Sequence, residues 1–278
     1  MVPIQNNTTS HTYNFFQSVV LLTYSHSSYR DVLNIYFIQL IKYFNQISGY
    51  LLIDKLFIDI PTNYKIVYYN NNQTYYQHLL KALCAIKEDY ILYMQDDYLL
   101  IDEPDFNILN KALIKLKSDK IDFVRLIRTG DDTINIGSNI FHQIPKNSKT
   151  LFSTQATIWK KKSLYNLLSY ADKKNKIDNI WESEINLNNI SIMLDIKGVF
   201  LYNNENKRGK NHWDSKYFPY IATAIVKGKW NYKEYKDELI KIFTSNNINT
   251  KRQSNINSNI LNLIYYFQLS YKKLFNNN

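Results

Sequence analysis

The stretch YILYMQDDYLLIDEPD, Tyr90 to Asp105, sets two adjacent carboxylates, Asp96 and Asp97, directly after an apolar run with the character of a buried strand. Like charges held side by side repel, so a fold that keeps both must raise one pKa or supply a cation. A divalent cation is the common solution, because a few carboxylate oxygens completed by substrate phosphates make the oxygen shell of Mg²⁺ or Mn²⁺. The plain alternative is a solvated turn or helix cap. A second pair, Asp131 and Asp132, falls in the turn-rich stretch Thr129 to Lys149 and is read that way.

Other residues could complete a site around the pair. In WESE, Trp181 can stack on a sugar and Glu182 or Glu184 can accept a proton. Two positions apart on a helix, these glutamates point to different faces, so at most one serves the site, and a solvated face is the alternative for either. Gln155 and Trp159, in TQATIWKKK, suit holding the hydroxyls of a polar ligand, with core packing the simpler role for Trp159. Arg128, ending FVRLIRTG, can reach a phosphate, whereas Arg125 is read as a structural pair. His11, His26, His78 and His142 lack metal-ligand spacing, which argues against a zinc enzyme.

Positioning these groups requires alternating strands and helices. SVVLLTY, LFIDI, YKIVYYN, YILYMQ, IDFVRLI, LFSTQATIW and IKGVFLYN read as strands. VLNIYFIQLIKYF, YYQHLLKALCAIK, DEPDFNILNKALIKLK, KKSLYNLLSYA and IDNIWESEINLNNI read as helices between them, and Thr129 to Lys149 as a long loop or flap. The expected fold class is α/β, a mainly parallel central sheet flanked by helices, with a helical C-terminal tail. In such sheets ligands bind beyond the carboxyl ends of the strands, where Asp96 and Asp97 stand. The expected boundaries are a leader over 1–17, a catalytic domain over 18–230 and a helical extension over 231–278.

Composition narrows the partners. The chain has 278 residues and a formal charge of +10, which favours an anionic partner such as a nucleotide, nucleic acid or membrane surface. The lone cysteine, Cys84, excludes an intrachain disulfide framework and is expected in helix packing. The N-terminus lacks the pattern of a secretory signal, and no apolar run reaches the roughly 18 residues of a spanning helix. The expectation is a cytoplasmic protein in which the stripe Ile260, Leu261, Ile264, Phe267 and Leu274, with Lys272 and Lys273, can rest on an anionic membrane, the plainer alternatives being packing on the domain or a dimer contact.

Two families share parts of this pattern. YMQDD is similar to the YMDD of reverse transcriptases, but Gln95 intervenes and no upstream polymerase signature accompanies it. From Ser18 to about Asn203 the order LLTYSHSSYRD, QDD, FSTQATIWKKKSL, WESE resembles nucleotide-sugar glycosyltransferases of the Rossmann-like GT-A fold, bacterial and viral surface-polysaccharide type. In that family an acidic motif closing a central strand holds Mn²⁺ or Mg²⁺ against the donor diphosphate.

The resemblance implies Asp97 as metal ligand and Asp96 as a second ligand or ribose contact. Gln95 stands where the family has its first acid, so metal dependence could be weak. It further implies that Tyr24 contacts the base, that Arg30 or Asp31 binds ribose or phosphate, and that His212 closes over the diphosphate with Lys207, Arg208 and Lys210 nearby. The plain alternatives are that Asp31 caps a helix and that the His212 loop is a surface loop. The family motif Trp-x-x-Glu favours Glu184 over Glu182 as base. The implied activity is hexosyl transfer from a nucleotide-diphosphate sugar, UDP-sugar favoured, to a hydroxyl on a glycan, lipid or protein. The rivals are a metal-dependent nucleic-acid enzyme and a non-catalytic interaction protein; with the transferase reading no nucleic-acid partner is expected.

Overall fold

The computed structural model describes residues 15–174, 180–209 and 212–255, with only the backbone of Ile180 and Trp181. The chain divides into two compact units, Met1–Ala222 and Thr223–Asn278.

The first unit is built on a nine-stranded sheet. Its strands are β1 (Val19–Tyr24), β2 (Gly49–Ile53), β3 (Tyr64–Tyr68), β4 (Tyr90–Gln95), β6 (Phe123–Arg125), β7 (Ile134–Asn135), β8 (Phe141–Gln143), β9 (Thr157–Lys160) and β10 (Gly198–Leu201). β5 (Leu99–Leu100) pairs outside that sheet with β13 (Tyr220–Ile221), and β11 (Lys207–Arg208) pairs with β12 (His212–Trp213). The spatial order is β3-β2-β1-β4-β9-β6-β10-β8-β7. Neighbours from β3 to β4 are parallel, as are β6 and β10, while β9 runs antiparallel to both β4 and β6. The sheet is therefore mainly parallel, and the carboxyl ends of β1, β2, β4, β6 and β10 share one rim.

Helices cover both faces, so the central strands are apolar on both sides; VVLLTY is buried along most of its length. Val20 and Leu22 join the core beneath α2 (Tyr75–Ala85), α4 (Lys161–Lys174) and α5 (Ile180–Met193). The opposite face packs on α1 (Arg30–Phe44) and α3 (Phe106–Ser118), where Thr23 Oγ1 lies 2.8 Å from Tyr36 Oη. A capping box starts α2, with Thr74 accepting from the Gln77 backbone and Gln77 from that of Thr74, both at 3.3 Å. Asp105 caps α3 through the Ile108 amide at 3.1 Å. Gly198 is demanded by packing, since any Cβ there would enter the Phe123 ring.

Several expectations are corrected. The second strand is GYLLI rather than LFIDI, because the continuous apolar run pairs with β1 while Leu56 to Ile60 forms loop before Pro61. Of LFSTQATIW, only the end is strand; Leu151 to Ala156 is loop that enters the rim. The expected flap contributes an antiparallel hairpin, β7 and β8, to the sheet edge. Cys84 is exposed, on the side of α2 away from Leu79 and Leu83. Phe15, expected in the leader, is fully buried, and Phe16 packs on Phe44 and Phe106 at 5.6 and 5.3 Å.

The second unit pairs β14 (Ile225–Val226) with β15 (Lys229–Trp230) in a hairpin and adds α6 (Tyr232–Ser245). The turn has φ of +49° at Lys227 and +75° at Gly228, the two positive values a two-residue hairpin of matching twist requires. Trp230 is fully buried, donates from Nε1 to Thr250 Oγ1 at 2.9 Å and meets the Phe243 ring edge-on. The apolar stripe from Ile260 to Leu274 lies outside the described residues. Among the described residues no helix is long and apolar enough to cross a membrane.

Candidate active site

β4 delivers Asp96 and Asp97 to the rim, where the chain turns at once, the Tyr98 amide donating to the Gln95 carbonyl at 3.1 Å. Both aspartates are buried, 7% and 9% exposed. A buried carboxylate needs donors or a cation, and Ser25, at the end of β1, donates its hydroxyl to Asp96 Oδ2 at 2.5 Å. The Asp96 amide in turn donates to the Tyr24 carbonyl at 3.2 Å. The plain reading of the pair as a solvated turn is thereby replaced by one of two carboxylates held inside the rim.

Beyond β2 stands a third acid, Asp54, that the sequence reading passed over. Its oxygens accept from the Ser27 amide and the Ser27 hydroxyl, each at 2.7 Å, and from Asn71 Nδ2 at 3.4 Å. His26 Nε2 is 3.6 Å away. Burial alone would raise the Asp54 pKa, but the Ser27 and Asn71 donors and the His26 charge outweigh it and hold the group below the ordinary carboxylate value. The signal for Asp54 was present: it follows GYLLI as Asp96 follows YILYMQ. Misplacing β2 hid it.

Tyr24 extends the same part of the rim. Its ring stacks on Tyr69 with centroids 5.6 Å apart and planes 4° apart, and Tyr69 stacks on His78 at 3.9 Å. Burial first, and then the charges of Asp96 and Asp54, push the Tyr24 hydroxyl up to about 12, so it is neutral. Arg30 and Asp31 begin α1, whose cap position is Tyr29, so Asp31 complements the helix dipole from the first turn rather than capping. Arg30 is exposed and, with Asn34 and Leu56 to Asp59, lines an open cleft of about 420 Å³.

The loop before β9 brings the WESE helix to the aspartate turn. The Thr154 amide donates to Glu184 Oε1 at 2.8 Å, and the Thr154 hydroxyl to the same oxygen at 3.4 Å. Tyr98, next to Asp97, donates its hydroxyl to Thr154 Oγ1 at 3.4 Å. Burial and then the charge of Asp97 raise the Tyr98 pKa well above its ordinary value, so Tyr98 is a fixed donor. Glu182 is exposed, which separates the two glutamates as helical geometry required. Gln155 also reaches the rim, but both ends of its amide are engaged: Oε1 accepts from Tyr220 at 2.8 Å and Nε2 donates to the Ala222 carbonyl at 2.9 Å.

Trp159 does not join the site. It is 1% exposed, pairs with Ile91 near the start of β4 and packs on Phe123 at 4.5 Å, so it is a core residue at the opposite end of the strand from the aspartates. Trp181 opens α5, and its side chain lies outside the described part. Arg128 is at the rim but engaged: it donates to the carbonyls of Gly130 and Asp131 at 3.3 and 2.8 Å and lies over Tyr202 and Trp213 at 4.5 and 4.3 Å. His212 bridges Thr129 in the neighbouring strand segment. Lys207 pairs with Asp131 at 2.8 Å and Arg208 with Asp214 at 2.8 Å, while Lys210 lies outside the described residues. Arg125, expected as a structural pair, is fully buried and binds Thr129 and the carbonyls of Thr150 and Leu151. Burial brings its pKa down to about 10, against the pull of the Glu184 charge, so it is a cation at neutral pH.

The donor set suits a hard divalent cation. Asp96 and Asp97 offer adjacent buried oxygens, and among the described residues no group of three His, Cys, Asp or Glu forms a ready cage. Such a pair fits Mg²⁺ or Mn²⁺ only in company with phosphate oxygens.

No family model matches the chain, and no curated protein matches it in sequence. Several solved structures resemble it in part. A CMP-2-keto-3-deoxy-manno-octonic acid synthetase complexed with CTP shares 9% identity at a TM-score of 0.42, over 66% of this chain and 88% of its own. TarS 1-349 from S. aureus shares 12% at 0.46, over 82% and 64%. The mannosyltransferase PcManGT from Pyrobaculum calidifontis, in complex with GDP-Man and Mn²⁺, shares 10% at 0.42, over 69% and 58%. The chain thus spans less than two thirds of the last two, and likeness of this degree assigns it no activity.

Proposed function

We propose that the chain is a glycosyltransferase of GT-A type that moves a hexose from a nucleotide-diphosphate sugar, UDP-sugar favoured, to a hydroxyl on a glycan, lipid or protein. The observation that carries this reading is the buried pair Asp96 and Asp97 at a strand end, with Glu184 tied to the same turn through Thr154 and Tyr98. The rim of carboxyl ends is the ligand crevice of such a sheet. Surface-polysaccharide synthesis is the favoured setting.

In this reading Asp97 and Asp96 would hold Mn²⁺ or Mg²⁺, and the bound ion would supply positive charge where the departing diphosphate becomes more negative. The bond broken joins the anomeric carbon to the diphosphate oxygen; the bond formed joins it to the acceptor oxygen from the opposite face, with inversion. Glu184 takes the proton of the attacking hydroxyl, its Oε1 held by both donors of Thr154. Ser25 fixes Asp96, and the acidic end of the rim, Asp54 with Ser27 and Tyr24, receives the nucleoside. Arg30, Asp31, Gln155, Trp181 and His212 are the further proposed contacts to donor or acceptor. Membrane contact through the stripe from Ile260 belongs to the same reading.

The test is thermal unfolding of wild type and Asp97→Asn with UDP, GDP or CMP, each with and without Mn²⁺, since a ligand that binds the native state raises stability. One nucleotide should stabilise the wild type in a Mn²⁺-dependent way, and Asp97→Asn should lose that effect. No shift by any nucleotide, with or without metal, overturns the reading.

A further inference from the structure

We propose that the second unit carries a cationic docking edge for anionic lipid headgroups, built from the tip of the β14–β15 hairpin and the segment that returns beside it. Charge is unevenly shared along the chain. Thr223–Asn278 holds nine Lys and Arg against three Asp and Glu, so this short unit contributes +6 of the total +10. Its three acids, Glu234, Asp237 and Glu238, all lie on α6, and no acid follows from Leu239 to Asn278.

The fold gathers part of this charge on one edge. Val226, Lys227, Gly228 and Lys229 form the exposed tip, and Lys251 is exposed in the returning segment. A parallel bridge between Trp230 and Ser254 holds that segment against the hairpin, with the Trp230 amide donating to the Gln253 carbonyl at 2.8 Å. Arg252 Nη1 donates to the Gly228 carbonyl at 3.0 Å, which brings its guanidinium to the turn. Cations from two separate stretches therefore share one surface. Lys227, Lys229 and Lys251 form no ion pair among the described residues.

Two observations favour a bilayer over a nucleic acid. Single-stranded nucleic acid is gripped by exposed aromatic rings between cations, yet among the described residues of this unit the rings, Trp230, Tyr232, Tyr235 and Phe243, are all buried, at most 8% exposed. The exposed apolar residue at the tip is instead Val226, 37% exposed between the strands' cations, as suits the boundary between headgroups and acyl chains. The membrane contact proposed above for the sequence from Ile260 is a separate expectation, and the test of the hairpin edge does not depend on the transferase reading.

The experiment is cosedimentation of the full chain with phosphatidylcholine vesicles, with and without phosphatidylglycerol, at low and high salt. The expected result is binding that requires phosphatidylglycerol, falls with salt, and drops about tenfold or more in the charge-reversed variant Lys227→Glu/Lys229→Glu. Circular dichroism should report that variant as folded as the wild type. Inorganic phosphate at matched ionic strength should leave binding unchanged if the edge reads a charged surface, and should compete if it reads a free phosphate, which overturns the lipid assignment. Equal binding to neutral vesicles, full binding by the variant, or binding to single-stranded RNA with none to vesicles also overturns it.

Discussion

At the ends of β1, β2 and β4 the rim is acidic and clothed in hydroxyls, whereas at the ends of β6 and β10 it is basic and clothed in aromatic rings. In the first half, Asp96 and Asp54 accept from Ser25, Ser27 and Asn71, small donors that orient a carboxylate through hydroxyl and amide groups. In the second, the Arg128 guanidinium is stacked against Tyr202 and Trp213 and turned onto backbone carbonyls. A charge at a strand end is thus no sign of a ligand by itself. What distinguishes the two halves is the kind of group that surrounds the charge, and the donor site proposed above lies in the acidic one.

The largest effect expected from this contrast is at Asp97. Asp97→Asn should lower sugar transfer or donor hydrolysis about a thousandfold, corresponding to several kcal/mol of lost charge stabilisation. Turnover within a few-fold of wild type would move the reactive centre elsewhere. Next comes Arg125→Met, which strips partners from Thr129 and two buried carbonyls and should cost about 3 kcal/mol in urea unfolding. A loss below about 1 kcal/mol would mean that water or repacking replaces those bonds.

Ser25→Ala sharpens the acidic side: nucleotide affinity in the presence of Mn²⁺ should weaken about tenfold, as expected for a hydrogen bond to a charged group. Arg128→Lys probes the basic side, with an expected cost of about 1 kcal/mol in stability from the lost stacking and no change in nucleotide-induced stabilisation. If Arg128→Lys abolished that stabilisation while Ser25→Ala did not, the contrast between the two halves would be reversed.

The smallest effect concerns pH. Burial lowers the His78 pKa below its ordinary 6.5, so the unfolded chain binds the proton more readily. Stability from this group is full above pH 6.5 and declines as pH falls toward the lower folded value. His78→Gln should flatten the fall in melting temperature between neutral pH and mildly acid pH, a range in which Asp54 does not titrate. An unaltered slope would assign the acid sensitivity to other groups.

Much of the architecture was legible because strands buried on both faces read as continuous apolar runs and the helices between them read by their stripe. The aspartate pair was legible for the same reason, since it ends such a run. Hydrophobic alternation misplaced β2 at LFIDI and so concealed Asp54, while TQATIWKKK left Trp159 open between a ligand contact and core packing, which strand pairing decides for the core. The hydroxyls that orient the acids, those of Ser25, Ser27, Thr154 and Tyr98, are ordinary residue types with no local signal. Their roles exist only after tertiary contact joins segments distant in the chain. Charge at Arg128 was visible, but its stacking on Tyr202 and Trp213 was not.

β9 is the sole link in the sheet between the half ending in β4 and the half beginning with β6. During synthesis β1 to β4 and β6 to β8 leave the ribosome before it and β10 after it, and the two halves cannot join until Thr157 to Lys160 lies between β4 and β6. Because the loop entering β9 carries Thr154, the same insertion that closes the sheet also supplies the clasp on Glu184. Closure of the sheet is therefore a non-local step, and a nascent chain stalled before that strand would expose the unpaired edge of β4.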